Sequence, residues 1–249
     1  MHFFRYYLWI APSLVLGLVF FLLLRRKLHL RLPSFAIYTA VQVLTFVATV
    51  ICSLHSPFSY RVYGWILALG DGFGAILAVW VLYELASKLV FTHSMFAKLG
   101  QRLFGLALVI LVLSSAAISG ALSDHSIYRA LNLFEEINFS SAFIKVGLLL
   151  VLLVFSHALS VSWKNWLVGI ALGFGVDACF DLSSSAWRAV YGRAALISVD
   201  IAQGVGFHLC VVIWLIYLLL PDRPVQFPSK GLRTDELDAW NEQLQNIVR

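Results

Sequence analysis

The chain has 249 residues, 61% hydrophobic and 12% charged, with a formal net charge of +5 and a mean hydropathy of +0.87. Soluble domains sit near half apolar and a quarter charged, so this composition excludes an ordinary soluble protein and its apolar excess must face lipid. The positive charge does not imply nucleic acid, because the basic residues stand in short loops beside apolar runs, where they orient a membrane protein and meet anionic headgroups.

Seven apolar runs follow in chain order, and each reaches the roughly 20 residues a bilayer-spanning helix needs. The first, 7–24, begins close to Met1. It lacks a small-residue cleavage site and is followed by Arg25-Arg26-Lys27, so it reads as a retained helix. The second, 35–54, carries mild polarity in Gln42, Thr45 and Thr49. The third, 62–86, holds Asp71 between Gly70 and Gly72, with Gly74 completing a Gly-x-x-x-Gly. At 100° per residue, Gly74, Ala75 and Ala78 share the face of Asp71, and Trp80 and Glu84 point away. Glu84 reaches Lys88 at i+4 and reads as structural. The fourth run is 102–122. The fifth, 141–162, contains His157, which reads as a satisfied core residue.

The sixth run, 165–187, places Gly169, Gly173, Asp177 and Asp181 at successive i+4 positions. The seventh, 196–220, repeats the device with Asp200, Gly204 and His208, with Gln203 and Gly206 nearby. Cys52, Cys179 and Cys210 lie in or beside apolar runs without C-x-x-C spacing and read as small core residues.

Loop charge sets the expected orientation. With the N-terminus outside, the inner segments 25–34, 87–101, 163–164 and the tail, with Arg102, hold twelve of the 18 basic residues. The outer side then has Arg5, Arg61, Arg129, Lys145, Arg188 and Arg193. This bias predicts N-out and C-in, and Trp163, Trp166 and Trp187 mark the edges of the sixth helix. The expected fold is therefore all-α: a polytopic bundle over 1–220, then a cytoplasmic tail, 221–249. In the tail, Thr234 N-caps a short amphipathic helix with Leu237, Trp240, Leu244 and Ile247 on one face.

Ionisable residues inside a bilayer are costly and point to function. Asp71, Asp177 and His208 fall at similar depth on glycine-bearing faces, with Asp181 and Asp200 further out and Gln42 and Gln203 in support. They predict one polar site in the outer half, open outward, for a proton, a metal cation or a small cationic ligand. The competing reading is that they are buried packing pairs, for instance Asp71 with His208. No H-x-x-x-H, H-E-x-x-H, G-x-S-x-G or G-K-[ST] occurs, so no catalytic or metal-ligand residues are assigned and no cofactor is expected. A sensor or receptor-like module fits best, with the outer segment 123–140 bearing Glu135-Glu136 on the ligand side. The lipid bilayer is one partner, and the inner loop 87–101 or the tail 234–248 serves a cytoplasmic one. A small-solute or ion transporter and a structural or assembly subunit are the alternatives.

Five stretches resemble a family of uncharacterised seven-helix bacterial inner-membrane proteins. They are Arg25-Arg26-Lys27, Leu32-Pro33-x-Phe35-x-x-Tyr38-Thr39-x-x-Gln42, Tyr83-Glu84, Gly169-Ile-Ala-Leu-Gly173-Phe-Gly175 and Ile213-Trp214-x-x-Tyr217-Leu218-x-x-Pro221-Asp222. The resemblance implies a bacterial plasma-membrane location and carries no activity. A thinner one is carried by Arg61-x-x-Gly64-Trp65 and Val199-Asp200-x-x-x-Gly204-Val205-Gly206-Phe207, which look like microbial rhodopsin helices. That family's retinal lysine falls at Gly204 and its principal counter-ion at Gly64, so the resemblance does not imply a retinal-linked pump.

Overall fold

A computed structural model of the chain describes residues 2–54, 60–88, 102, 104–114, 129–158, 166–191 and 196–220. Nearly all of these residues are helical, with no strand among them. The helices are α1 His2–Arg25, α2 Pro33–Leu54, α3 Tyr60–Ala86, α5 Arg129–Ala158, α6 Trp166–Tyr191 and α7 Leu196–Leu219, with α4 Phe104–Ser114 between α3 and α5. Five of them (α1, α2, α3, α6 and α7) are long and apolar enough to cross a membrane. The described apolar stretches of α4 and α5, Phe104–Ser114 and Phe139–Val154, are shorter.

The helices form a closed ring in chain order. α1 packs on α2 and α7, α2 on α3, α5 on α6, and α6 on α7, while α3 also touches α5 and α6. α4 lies against both its neighbours, through Phe104 on Tyr83 of α3 and Leu111 on Gly147 of α5. Large apolar side chains cover the outside, among them Leu14, Leu44, Trp65, Ile76 and Leu113. In water such a surface would aggregate; in a bilayer it is the solvated face.

The fully buried residues gather toward one end, where α1 finishes and α2 begins: Leu23, Phe35, Leu82, Leu85, Phe174, Trp214 and Leu218. Phe35 stacks on Tyr38, and the other pairs among Phe35, Tyr38, Phe174 and Trp214 pack edge to face or tilted, with centroid distances of 4.9 Å for Phe174–Trp214, 5.0 Å for Phe35–Trp214 and 5.1 Å for Tyr38–Phe174. The Trp214 indole N–H donates to the Ile170 carbonyl at 3.0 Å. That approach needs Gly173, since a Cβ there would run into the indole. Gly169 against Tyr217 and Gly206 against Phe180 extend the same seam between α6 and α7. Without a hydrophobic force between helices in lipid, close fit of this kind is what holds them together.

Two charged groups close this end. Arg26, just past α1, donates to the Leu218 carbonyl and, at 3.4 Å, to the Leu220 carbonyl, placing a cation on the C-terminus of α7. Glu84 of α3 accepts from the Ser34 hydroxyl and, at 3.1 Å, from the Ser34 N–H, so a carboxylate sits on the N-terminus of α2. Glu84 also pairs with Lys88 at 2.6 Å, the i+4 contact read from the sequence. We call this the Arg26 end, and the opposite one, where α6 finishes, the Arg188 end.

Two expectations are corrected. The stretch 123–140 is not wholly a loop: α5 is helical from Arg129, twelve residues before the expected start at 141. The polar residues of 129–140 hid this, because hydropathy marks where a helix meets lipid and not where it begins; 30 residues span about 45 Å, longer than a bilayer core. Lys145, counted among the outer flanking charges, is instead buried within α5. The expected tail helix at 234–248 and most of the inner loop 87–101 lie outside the described residues.

Candidate functional site

The polar centre is built from α5 and α6. Lys145 is 7% exposed, and its Nζ donates to Asp177 Oδ2 at 3.2 Å and to Asp181 Oδ2 at 3.0 Å. The i, i+4 spacing of the two aspartates puts both carboxylates on one strip of α6, so a single ammonium on the facing helix reaches both. The depth is central. Asp177 stands eleven residues from either end of the apolar span Trp166–Arg188. Side-chain exposure rises from 9% at Lys145 through 13% at Asp177 to 27% at Asp181, so the cluster is sealed below and opens toward the Arg188 end.

Asp71 of α3 and Tyr38 of α2 face the same centre. Asp71 is within electrostatic reach of Asp181 and Lys145, and Tyr38 within reach of Asp177, Asp181 and Asp71. α3 stays helical through Gly70-Asp71-Gly72. Gly70 and Gly74 use their missing side chains to meet Thr45 and Gln42 of α2, and Asp71, 100° further round, turns toward α5 and α6. The Asp71 carboxylate makes no hydrogen bond or ion pair among the described residues, and neither does the Tyr38 hydroxyl, although Tyr38 is only 5% exposed. The centre thus holds three carboxylates, one ammonium and a phenol.

The remaining predicted residues lie elsewhere. His208 is central in its span, but it turns to α1. Its Nε2 is 3.5 Å from the Tyr7 hydroxyl, and the rings are 5.6 Å apart. Its buried Nδ1 has no partner among the described residues. Asp200 is exposed and Gln203 half-buried on α7. Gln42 packs over Gly74. The α6 stripe divides because each i+4 step drifts by 40°: from Gly169 to Asp181 the direction turns by about 120°. Its glycines therefore meet α7 and its acids meet α5.

Sequence reasoning missed Lys145 and Tyr38. Lys145 carried a signal, since it falls inside the fifth apolar run, where a cation demands a partner. Tyr38 carried none, because a tyrosine in an apolar run reads equally as packing. A second feature stands at the Arg188 end, a groove of about 360 Å³ between α6 and α7 lined by Cys179, Ser183, Ser184, Trp187 and Ser198. The buried Ser184 Oγ has no partner among the described residues. Among those residues, no three His, Cys, Asp or Glu side chains are close enough to hold a metal ion.

The long apolar helices and the buried ion cluster define a helical, membrane-embedded protein with a charged centre. Comparison with protein-family models, curated proteins and solved structures finds no match.

Proposed function

We propose that this protein is a receptor-like sensor with seven spans, N-out and C-in, in a bacterial plasma membrane, and that it responds to a positive charge arriving at Asp71, Lys145, Asp177 and Asp181. The observation that carries the reading is the charge imbalance. Lys145 answers Asp177 and Asp181 together, and Asp71 has no partner among the described residues. A pair kept only for packing would balance its charges, because an uncompensated charge in a low-dielectric interior is expensive. An imbalance at mid-span is instead an opening for a cation or a proton, and its arrival competes with Lys145 for the carboxylates that hold α5 to α6.

The orientation draws support from the corrected place of Lys145. Once it leaves the outer set, the inner-to-outer count of basic residues becomes twelve to five. The inner side then offers the 87–101 loop and the 234–248 tail to a cytoplasmic partner. The grouping with uncharacterised seven-helix bacterial inner-membrane proteins rests on the sequence stretches alone.

The test is a distance. Spin labels at Leu150→Cys on α5 and Leu172→Cys on α6, in a background with Cys52, Cys179 and Cys210 replaced by serine, sit on exposed positions. We expect the α5–α6 distance to change between pH 8 and pH 5, and Lys145→Met to abolish the change. An invariant distance in the parent protein sinks the sensor reading. Solute or ion flux in proteoliposomes would favour a transporter in its place.

A further inference from the structure

We infer that the groove between α6 and α7 at the Arg188 end binds a glycerophospholipid, with an acyl chain in the groove and an ester carbonyl accepting from the Ser184 hydroxyl. The site is separate from the ion cluster and does not depend on how the cluster is read.

The seam between the two helices accounts for the groove. Gly169 against Tyr217, Gly173 against Trp214 and Gly206 against Phe180 bring α6 and α7 close together. Past Phe180 the helices present the smaller Ser183, Ser184, Ser198 and Ala202, and a groove of about 360 Å³ is left. That is the size of a small-ligand site. Ser184 lines it, is 3% exposed, and its Oγ has no hydrogen-bond partner among the described residues. The other buried polar side chains there are all satisfied. Ser34 bonds to Glu84, Thr39 to the Phe35 carbonyl, Thr49 to the Phe46 carbonyl and Lys145 to two aspartates. The neighbouring Ser185 folds back on the Asp181 carbonyl at 2.9 Å. A buried hydroxyl left alone is costly, and one that lines a groove can donate to whatever fills it.

Position and charge select a phospholipid as the occupant. The groove lies beside exposed Trp187 and Ile197, on the surface that meets lipid. It runs inward from Trp187 to Cys179, eight positions along α6 or about 12 Å of helix, in the direction an acyl chain takes through a leaflet. At the rim the Trp187 and Tyr191 rings stand 4.7 Å apart, an aromatic pair of the kind found at headgroup depth. Arg188, in the last turn of α6, brings to that rim a cation, the charge that complements a lipid phosphate.

The test compares the full-length protein in nanodiscs of diester phosphatidylglycerol and of diether phosphatidylglycerol with the same chain length, which lacks only the carbonyls. The melting temperature should be about 3 °C higher in the diester bilayer. Ser184→Ala should erase that difference without lowering the melting temperature in the diether bilayer. Ser198→Phe, at an exposed position on the groove wall, should fill the groove and erase it too. Native mass spectrometry of the parent released from diester nanodiscs should show a retained phospholipid, and Ser198→Phe should lose it. Equal melting temperatures of the parent in the two bilayers, a diester advantage that survives Ser184→Ala, or a lipid retained equally by Ser198→Phe overturns the inference. Should Ser198→Phe fail to fold, the Ser184→Ala comparison decides alone. If Cys179, exposed on the groove wall, instead links two copies by a disulfide in diester nanodiscs, the groove holds a second copy and the lipid falls.

Discussion

The two ends of the bundle are held together by different forces. At the Arg26 end, four aromatic rings interlock, an indole N–H is matched to a carbonyl, and Arg26 and Glu84 cap two helices. From mid-span toward the Arg188 end, α5 and α6 are joined through Lys145 and two aspartates, with Asp71 and the Ser184 hydroxyl without partners among the described residues. Packing is indifferent to protons and ions, and charge is not. The contrast separates a half held by packing from a half held by charge.

Substitutions can break that contrast, and the largest effect should come from Lys145→Met. It strands two aspartates in a buried site and should cost about 4 kcal/mol in reversible unfolding from micelles. Replacing Lys145 with methionine and both Asp177 and Asp181 with leucine removes the whole cluster and should recover most of that loss while abolishing any response to pH. Trp214→Ala at the other end should cost ~3 kcal/mol, near the low end for a buried tryptophan because lipid removes the hydrophobic share and leaves packing. Its pH response should survive. Gly173→Val, which drives a side chain into Trp214, should cost about 2 kcal/mol. Glu84→Gln weakens the carboxylate at the start of α2 and should cost ~1 kcal/mol, read by the same unfolding assay. Asp200→Asn, at an exposed position, should fall within about 0.5 kcal/mol of the parent. A large loss there would move the polar centre toward α7.

The apolar runs revealed the helices because lipid imposes hydropathy on the surface that meets it. Where a helix leaves the apolar layer that pressure ends, and the start of α5 at Arg129 was invisible for that reason. Spacing correctly joined Asp177 with Asp181 and Glu84 with Lys88, since both are local. Spacing could not say which neighbour each face meets. Depth and a shared glycine pattern suggested that His208 joins the aspartates, but in the bundle it turns to Tyr7. Lys145 was hidden by a counting convention that treats every lysine near a helix end as a flank.

The ion cluster also bears on how the chain enters a membrane. Alone, α5 offers only Phe139–Val154 as described apolar sequence, with Lys145 inside it. A lysine at the centre of a span opposes insertion by roughly 3 kcal/mol on translocon scales. Asp177 and Asp181 place opposing costs on α6, and the two sets of costs cancel only when the helices go in together. Seven residues separate Ala158 from Trp166 in the chain and α5 packs on α6, so the groups that cancel these charges are near in sequence as well as in space.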